Sequence, residues 1–197
     1  RAWSTDGRNV KAPSQVITYV SAHDNWTLWD KLEKTISDEE ERIRINKMAA
    51  AMYMTCQGNL FFLSGEEFAR TKDGLENTYN APIELNRLDW ERAYRYTDLR
   101  TYYQGLIALR KQLPELCDKS EGAWKRIFEE WKTEGVVGFF VDNTGKAYES
   151  KWKTLCVIYN STTETVSKEL KEGDWEILVD SESSFRWKEG KKVGCAK

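Results

Sequence analysis

The sequence predicts two architectures in series, an α/β half over residues 1–114 and an all-β half over residues 115–197. Three observations lead there. Strand-length apolar runs alternate with helical periodicity up to residue 114, Pro114 closes the last long helix, and short strands separated by turn signals follow it.

The first element is the β-branched run VITYVSA at residues 16–22, which stops abruptly at His23-Asp24-Asn25. Ser37-Asp38-Glu39-Glu40 then reads as a capping box, with Ser37 as the cap. The helix it opens places Ile45, Met48, Ala49, Met52 and Cys56 on one buried face, and Gly58 supplies a left-handed stop. NLFFLSG at residues 59–65 is a continuous apolar run that needs cover on both faces, and its carboxyl end turns polar at Glu66-Glu67. Residues 70–90 form a polar, turn-rich loop with Asp73-Gly74, Asn77, Asn80 and Pro82, long enough to suggest a functional segment. A second long helix starts at Asp98 with Thr97 as its cap and carries Leu99, Tyr102, Tyr103, Leu106 and Leu113 on one side. The tail holds strand-like runs at 136–141, 154–160, 163–170 and 175–179, with turns at Asn143-Thr144-Gly145 and Gly173-Asp174, as in a small antiparallel β-sandwich.

Composition narrows the partners. Of 197 residues, 40% are apolar, enough for a core, and 30 Lys+Arg against 32 Asp+Glu give a net charge of −2 with both signs interspersed. No electrostatic footprint for nucleic acid or an anionic membrane is present, and no apolar run approaches the roughly 20 residues of a membrane span. Nine Trp, nine Tyr and seven Phe supply flat rings, which without a basic groove suit sugar faces better than nucleobases. Cys56, Cys117, Cys156 and Cys195 are widely spaced with no CxxC pair, and His23 is the only histidine, so no metal site or cofactor is expected. The cysteines read as reduced and buried, although the polar surroundings of Cys117 and Cys195 would also allow exposure. The chain starts at Arg1 without a methionine or signal-like segment and reads as a piece of something longer, so its compartment, cytoplasmic or secreted, is not legible.

Parallel α/β proteins keep their chemistry at the carboxyl ends of strands. If strands 16–22 and 59–64 lie side by side, His23-Asp24 and Glu66-Glu67 emerge at one edge. Two carboxylates roughly 5–5.5 Å apart can act as acid and nucleophile on a glycosidic bond, and a further one can hold hydroxyls of a distorted sugar. Glu66 and Glu67 also fit a loop-bracing role.

These residues carry a family resemblance. YVSAHDN at residues 19–25 resembles the region that ends barrel strand seven in the α-amylase superfamily of glycoside hydrolases. NWTLWDKL at 25–32, GEEFARTKDGLENTYNAP at 65–82, LNRLDW at 85–90 and YYQGLIALRKQLP at 102–114 resemble type I pullulanases, the debranching enzymes of that superfamily. Ser21 and Ala22 are smaller than the residues that resemblance leads one to expect.

The resemblance implies that residues 1–114 are the last two βα units of a (β/α)8 TIM barrel, strands seven and eight with their helices, and that residues 115–197 are a β-sandwich C-terminal domain. It implies cleavage of α-1,6-glucosidic linkages in pullulan, starch or glycogen with retention. Asp24 matches the acidic residue that stabilises the transition state without attacking, and His23 matches the histidine that binds hydroxyls of the same glucose. Asn25, Arg70 and Asn80 match neighbours lining that subsite and outer ones. The nucleophile and general acid of the family lie on earlier strands, so the chain alone is expected to be inactive, and its truncated barrel is expected to self-associate. Two other readings stay open: a carbohydrate-binding or assembly module using Trp124, Trp131, Trp152, Trp175 and Trp187, and another superfamily enzyme such as isoamylase or branching enzyme.

Overall fold

The computed structural model describes residues 10–145, 150–190 and 192–193. Cys195 lies outside them. Strand β1 (Ile17–Thr18) is followed by helices α1 (Leu28–Glu33) and α2 (Glu39–Met54), then by strand β2 (Asn59–Leu60). β1 and β2 pair in parallel, Ile17 opposite Asn59 and Thr18 opposite Leu60, as the two apolar runs require. Both strands are much shorter than the predicted 16–22 and 59–64, because each has a ladder partner on one side only among the described residues. For the same reason the run is not buried on both faces: Ile17, Tyr19 and Phe61 are exposed.

The cap of α2 is Asp38, whose Oδ1 accepts from the Glu41 amide at 2.7 Å, one residue beyond the expected Ser37. Its buried face is also rotated from the predicted one. Asn46, Ala50, Tyr53 and Met54 face inward with Arg42 and Lys47, while Met52 is exposed. The apolar template failed because each inward polar side chain makes at least one bond: Asn46 Nδ2 donates to Tyr103 Oη at 2.9 Å, Lys47 to Asp98, and Arg42 to the Ile36 and Ser37 carbonyls.

After β2 come short helices α3 (Ile83–Asn86) and α4 (Trp90–Arg95), then α5 (Thr97–Gln112). α5 buries Leu99, Tyr102, Tyr103, Leu106 and Leu109, with Leu113 buried just beyond its end, and it stops before Pro114 as predicted. Thr97 does not cap it; its hydroxyl donates back to the Tyr94 carbonyl at 2.6 Å. Trp29, Tyr53, Met54, Phe68, Leu99 and Tyr103 form the core between α1, α2 and α5.

In the tail, β3 (Ile127–Thr133), β4 (Val136–Asp142) and β5 (Thr154–Asn160) make one antiparallel sheet, and β6 (Trp175–Glu176) pairs with β7 (Lys192–Val193) as a separate ribbon; helix α6 (Arg186–Glu189) lies between them in sequence. β3 was not predicted, and the predicted strand at 163–170 forms no ladder. That segment instead meets the sheet by side-chain contact, Lys168 Nζ lying 4.5 Å from the centre of the Trp131 ring. The described tail is thus a three-stranded sheet and a ribbon where a sandwich was expected.

A second core joins this sheet to α5. Leu109, Leu113, Leu116 and Cys117 pack against Val141 and Leu155. Cys117 is therefore buried, not exposed, and burial pushes its thiol up to about 11. Residues 180–184 return to the helices: Tyr102 Oη donates to the Asp180 carbonyl at 2.8 Å, and Ser184 Oγ donates to the Tyr102 carbonyl at 2.7 Å. Gly105 permits this approach, since a Cβ there would lie 1.8 Å from Ser184 Oγ. No described helix is long and apolar enough to cross a membrane.

Candidate functional site

The chain leaves β1 through residues that are pinned at their backbone and open at their side chains. Lys31 Nζ donates to the Val20 carbonyl at 2.9 Å, and Lys72 Nζ donates to the His23 carbonyl at 3.2 Å and to the Glu76 carbonyl at 3.1 Å. The His23 and Asp24 side chains stand 84% and 76% exposed, with Nε2 and Oδ2 3.5 Å apart. Asn25 follows with φ 61°, a left-handed turn that asparagine tolerates better than most residues. Thr27 then caps α1, its Oγ1 accepting from the Asp30 amide at 3.1 Å.

Residues 71–76 form the wall beside this strand end. Asp30, almost fully buried, accepts from Thr71 Oγ1, the Lys72 amide and the Gly74 amide, and Trp26 Nε1 donates to the Gly74 carbonyl at 3.0 Å. Lys72 is likewise buried, which lowers its ammonium from the usual lysine range, while the charges of Asp30, Asp24 and Glu76 oppose that. Sequence reasoning missed Asp30 and Lys72. The only signal was the Asp73-Gly74 turn that brings their partners round.

The carboxyl end of β2 carries Glu66 and Glu67, and the two behave differently. Gly65, at φ 94°, turns the chain sharply. Glu67 Oε2 accepts from the Gly65 amide at 2.8 Å. Glu66 points inward and is only 3% exposed, accepting from Ser21 Oγ at 2.5 Å, Tyr53 Oη at 2.7 Å and Tyr103 Oη at 2.9 Å. Burial raises its carboxyl above the ordinary range and the three hydroxyls oppose that. Both strand ends therefore share an edge, but Glu66 is occupied as a brace, leaving Asp24 and His23 as the open pair.

Arg70 donates to the Ser64 and Asn86 carbonyls at 2.9 and 2.7 Å and so closes the base of the loop that carries Asn80. Thr78 and Asn86 pair by two 2.8 Å bonds beneath Asn80, which is exposed at the tip. No bond among the described residues brings Asn80 to His23 or Asp24. Two open concavities of about 550 and 620 Å³ lie elsewhere, beside Gly58 and Arg110 and beside Arg126 and Asp142, and contain no predicted site residue. Among the described residues, no cluster of His, Cys, Asp or Glu has the makings of a metal site.

The tryptophans proposed for a binding module are largely committed to packing. Trp131 and Trp175 pack against Phe140, and Trp152 donates to Glu176 at 2.8 Å and meets Trp187 edge-on.

The family model described as "Pullulanase, all-beta domain" matches residues 127–183. The pullulanase of Bacillus subtilis (strain 168) is 34% identical over 168 residues, covering 83% of this chain and 23% of that protein. The structure of a pullulanase from Bacillus acidopullulyticus aligns with TM-score 0.81 at 33% identity, over 88% of this chain and 22% of that one. A pullulanase from Anoxybacillus sp. complexed with maltotetraose aligns with TM-score 0.78 at 32% identity, over 87% and 25%. The chain is thus related to debranching glycoside hydrolases. Within that class its resemblance is to the pullulanases, of which it corresponds to a C-terminal portion spanning about a quarter of their length.

Proposed function

We propose that this chain supplies part of the glucose-binding site of a pullulanase-type enzyme that cleaves α-1,6-glucosidic linkages in pullulan, starch or glycogen by a retaining mechanism. The observation that carries the reading is the exposed His23-Asp24 pair at the carboxyl end of a parallel strand, in a chain that resembles pullulanases over most of its length. Residues 1–114 act as the last two βα units of a (β/α)8 barrel and residues 115–197 as its all-β domain. The open face at Ile17, Tyr19 and Phe61 supports this, since earlier barrel strands would cover it.

In this reading Asp24 accepts hydrogen bonds from hydroxyls of the glucose at the cleaved bond and stabilises the positive charge that develops on its ring. His23 donates to the same glucose. Neither attacks: both bind the distorted sugar more tightly than the relaxed one, which is how such groups accelerate a reaction. Asn25 and Asn80 present exposed amides to neighbouring glucose units, and Arg70 holds the loop between them. The nucleophile and general acid come from the rest of the protein.

The test uses pullulan. The chain alone releases no maltotriose, and a longer protein that includes the upstream region does so. Asp24→Asn in that longer protein lowers kcat by about 10²–10³-fold, the scale of a single preorganised electrostatic group. Maltotriose release by the chain alone, or full activity of the Asp24→Asn protein, overturns the proposal.

A further inference from the structure

Ser21 departs from the size its resemblance leads one to expect, and the structure gives that small residue a partner. Its hydroxyl, 2% exposed as a residue, donates to Glu66 Oε2 at 2.5 Å, two positions before His23. From the geometry we infer that Glu66 is a positioning residue, which fixes the His23-Asp24 strand end through Ser21. This deepens the proposed function and rests on that reading only for its catalytic meaning.

The argument is one of connectivity. The strand end is held by three side-chain bonds from outside it. Lys31 to the Val20 carbonyl is exposed, and Lys72 to the His23 carbonyl fixes only a backbone oxygen. Ser21 to Glu66 is the buried one. Glu66 itself cannot drift, because Tyr53 from α2 and Tyr103 from α5 both donate to its Oε1, and Asn46 of α2 donates to Tyr103 in turn. A carboxylate accepts several hydrogen bonds and donates none, so three hydroxyls converging on it are a geometry that a neutral apolar side chain could not reproduce. The core helices thereby set the position of the strand end, and the turn at Gly65, with the Glu66 amide donating to the Leu63 carbonyl at 2.9 Å, fixes the carboxylate between them.

The chain carries its own reporter, since His23 is the only histidine and gives one set of imidazole resonances. Ser21→Ala and Glu66→Gln are compared with wild type by two-dimensional NMR of the full chain. Leu155→Ala, which opens a cavity in the second core, is the control for lost stability without a change at the strand end. The expected result is that both strand-end variants move the His23 ring resonances and the Asp24 amide by more than a linewidth while Leu155→Ala does not. Glu66→Gln, which retains hydrogen-bonding capacity, moves them less than Glu66→Ala. Unmoved His23 resonances in folded Ser21→Ala, or equal movement in Leu155→Ala, overturn the inference. Because no glucan enters the measurement, failure of the pullulanase reading leaves this outcome intact and separately readable.

Discussion

Tyr103→Phe removes a single oxygen from a residue that is 1% exposed, and the structure says what that oxygen does. It donates to Glu66 Oε1 at 2.9 Å and accepts from Asn46 Nδ2 at 2.9 Å. A hydrogen bond to a charged group contributes about 1.5–3 kcal/mol. Asn46 is fully buried and its Oδ1 already has no protein partner, so losing Tyr103 leaves its amide doubly unsatisfied, at about 1–3 kcal/mol more. The ring remains, so no cavity term arises, and the sum is about 2.5–6 kcal/mol. Tyr53→Phe removes a bond to Glu66 but leaves Asn46 paired with Tyr103, and should cost only the first part, about 1.5–3 kcal/mol. In reversible urea unfolding with a slope of about 2 kcal/mol per molar, Tyr103→Phe lowers the midpoint by about 1–3 M and Tyr53→Phe by about half as much. In a Glu66→Gln background the Tyr103→Phe effect shrinks, because the two groups share one bond. Equal midpoints for the two tyrosine variants, or strict additivity with Glu66→Gln, would refute the network as drawn.

Other outcomes follow from the same coordinates. Burial raises the Glu66 carboxyl from its ordinary value of 4.5, with Glu67 adding to the rise and the Ser21, Tyr53 and Tyr103 hydroxyls opposing it. The folded state therefore holds that proton longer than the unfolded one: the stabilisation is fully present below about 4.5 and is lost as pH rises through the raised value, so Glu66→Gln flattens the fall in melting temperature over that window. Asp118 has the opposite sign: burial would raise it, but bonds from Arg126 and Ser120 leave it below the usual aspartate range. Arg126→Met thus lowers stability most at neutral pH and less once acid has protonated Asp118, where its bonds to the Asp142 and Thr144 carbonyls are still lost. Gly105→Ala forces Ser184 away from Tyr102 and costs about 1–3 kcal/mol by calorimetry, whereas a neutral result would mean that residues 180–184 do not sit on α5. The exposed Ile17, Tyr19 and Phe61 predict self-association in sedimentation velocity, reduced by Ile17→Lys; a monomer at high concentration removes the argument.

What the sequence made legible was local. Two apolar runs ending in polar residues give the parallel pairing of β1 and β2, and the spacing from Leu99 to Leu113 gives the buried side of α5. The exposed placement of His23 and Asp24 beyond β1 was legible because the apolar run and the polar residues that end it are adjacent in sequence. Glu66 was not: its donors sit 45, 13 and 37 positions away, and nothing next to it signals that it faces inward. The rotated face of α2 failed for the same reason, since Asn46 and Lys47 are buried by partners on α5. β3 was hidden by a bulge. Glu129 adopts φ 48° and the pairing with β4 slips between Phe128 and Trp131, so the charged IFEEWKT stretch lacks the alternation that marks a strand.

α5 explains why the two architectures occur in one chain. Tyr103, on one side, completes the Glu66 network that ties to Ser21 and the strand end. Tyr102 and Gly105, on another, receive residues 180–184, and Leu109 and Leu113 bury the sheet. Lys47 adds a second tie from α2, its ammonium reaching both Asp98 and the Glu182 carbonyl. A cut at Pro114 would therefore separate the chain without separating its energetics: it would expose Leu109 and Leu113 and take the Glu182 carbonyl away from Lys47. The proposed all-β domain is in this sense a buttress. It holds α2 and α5 together from outside, and those two helices supply the tyrosines that hold Glu66.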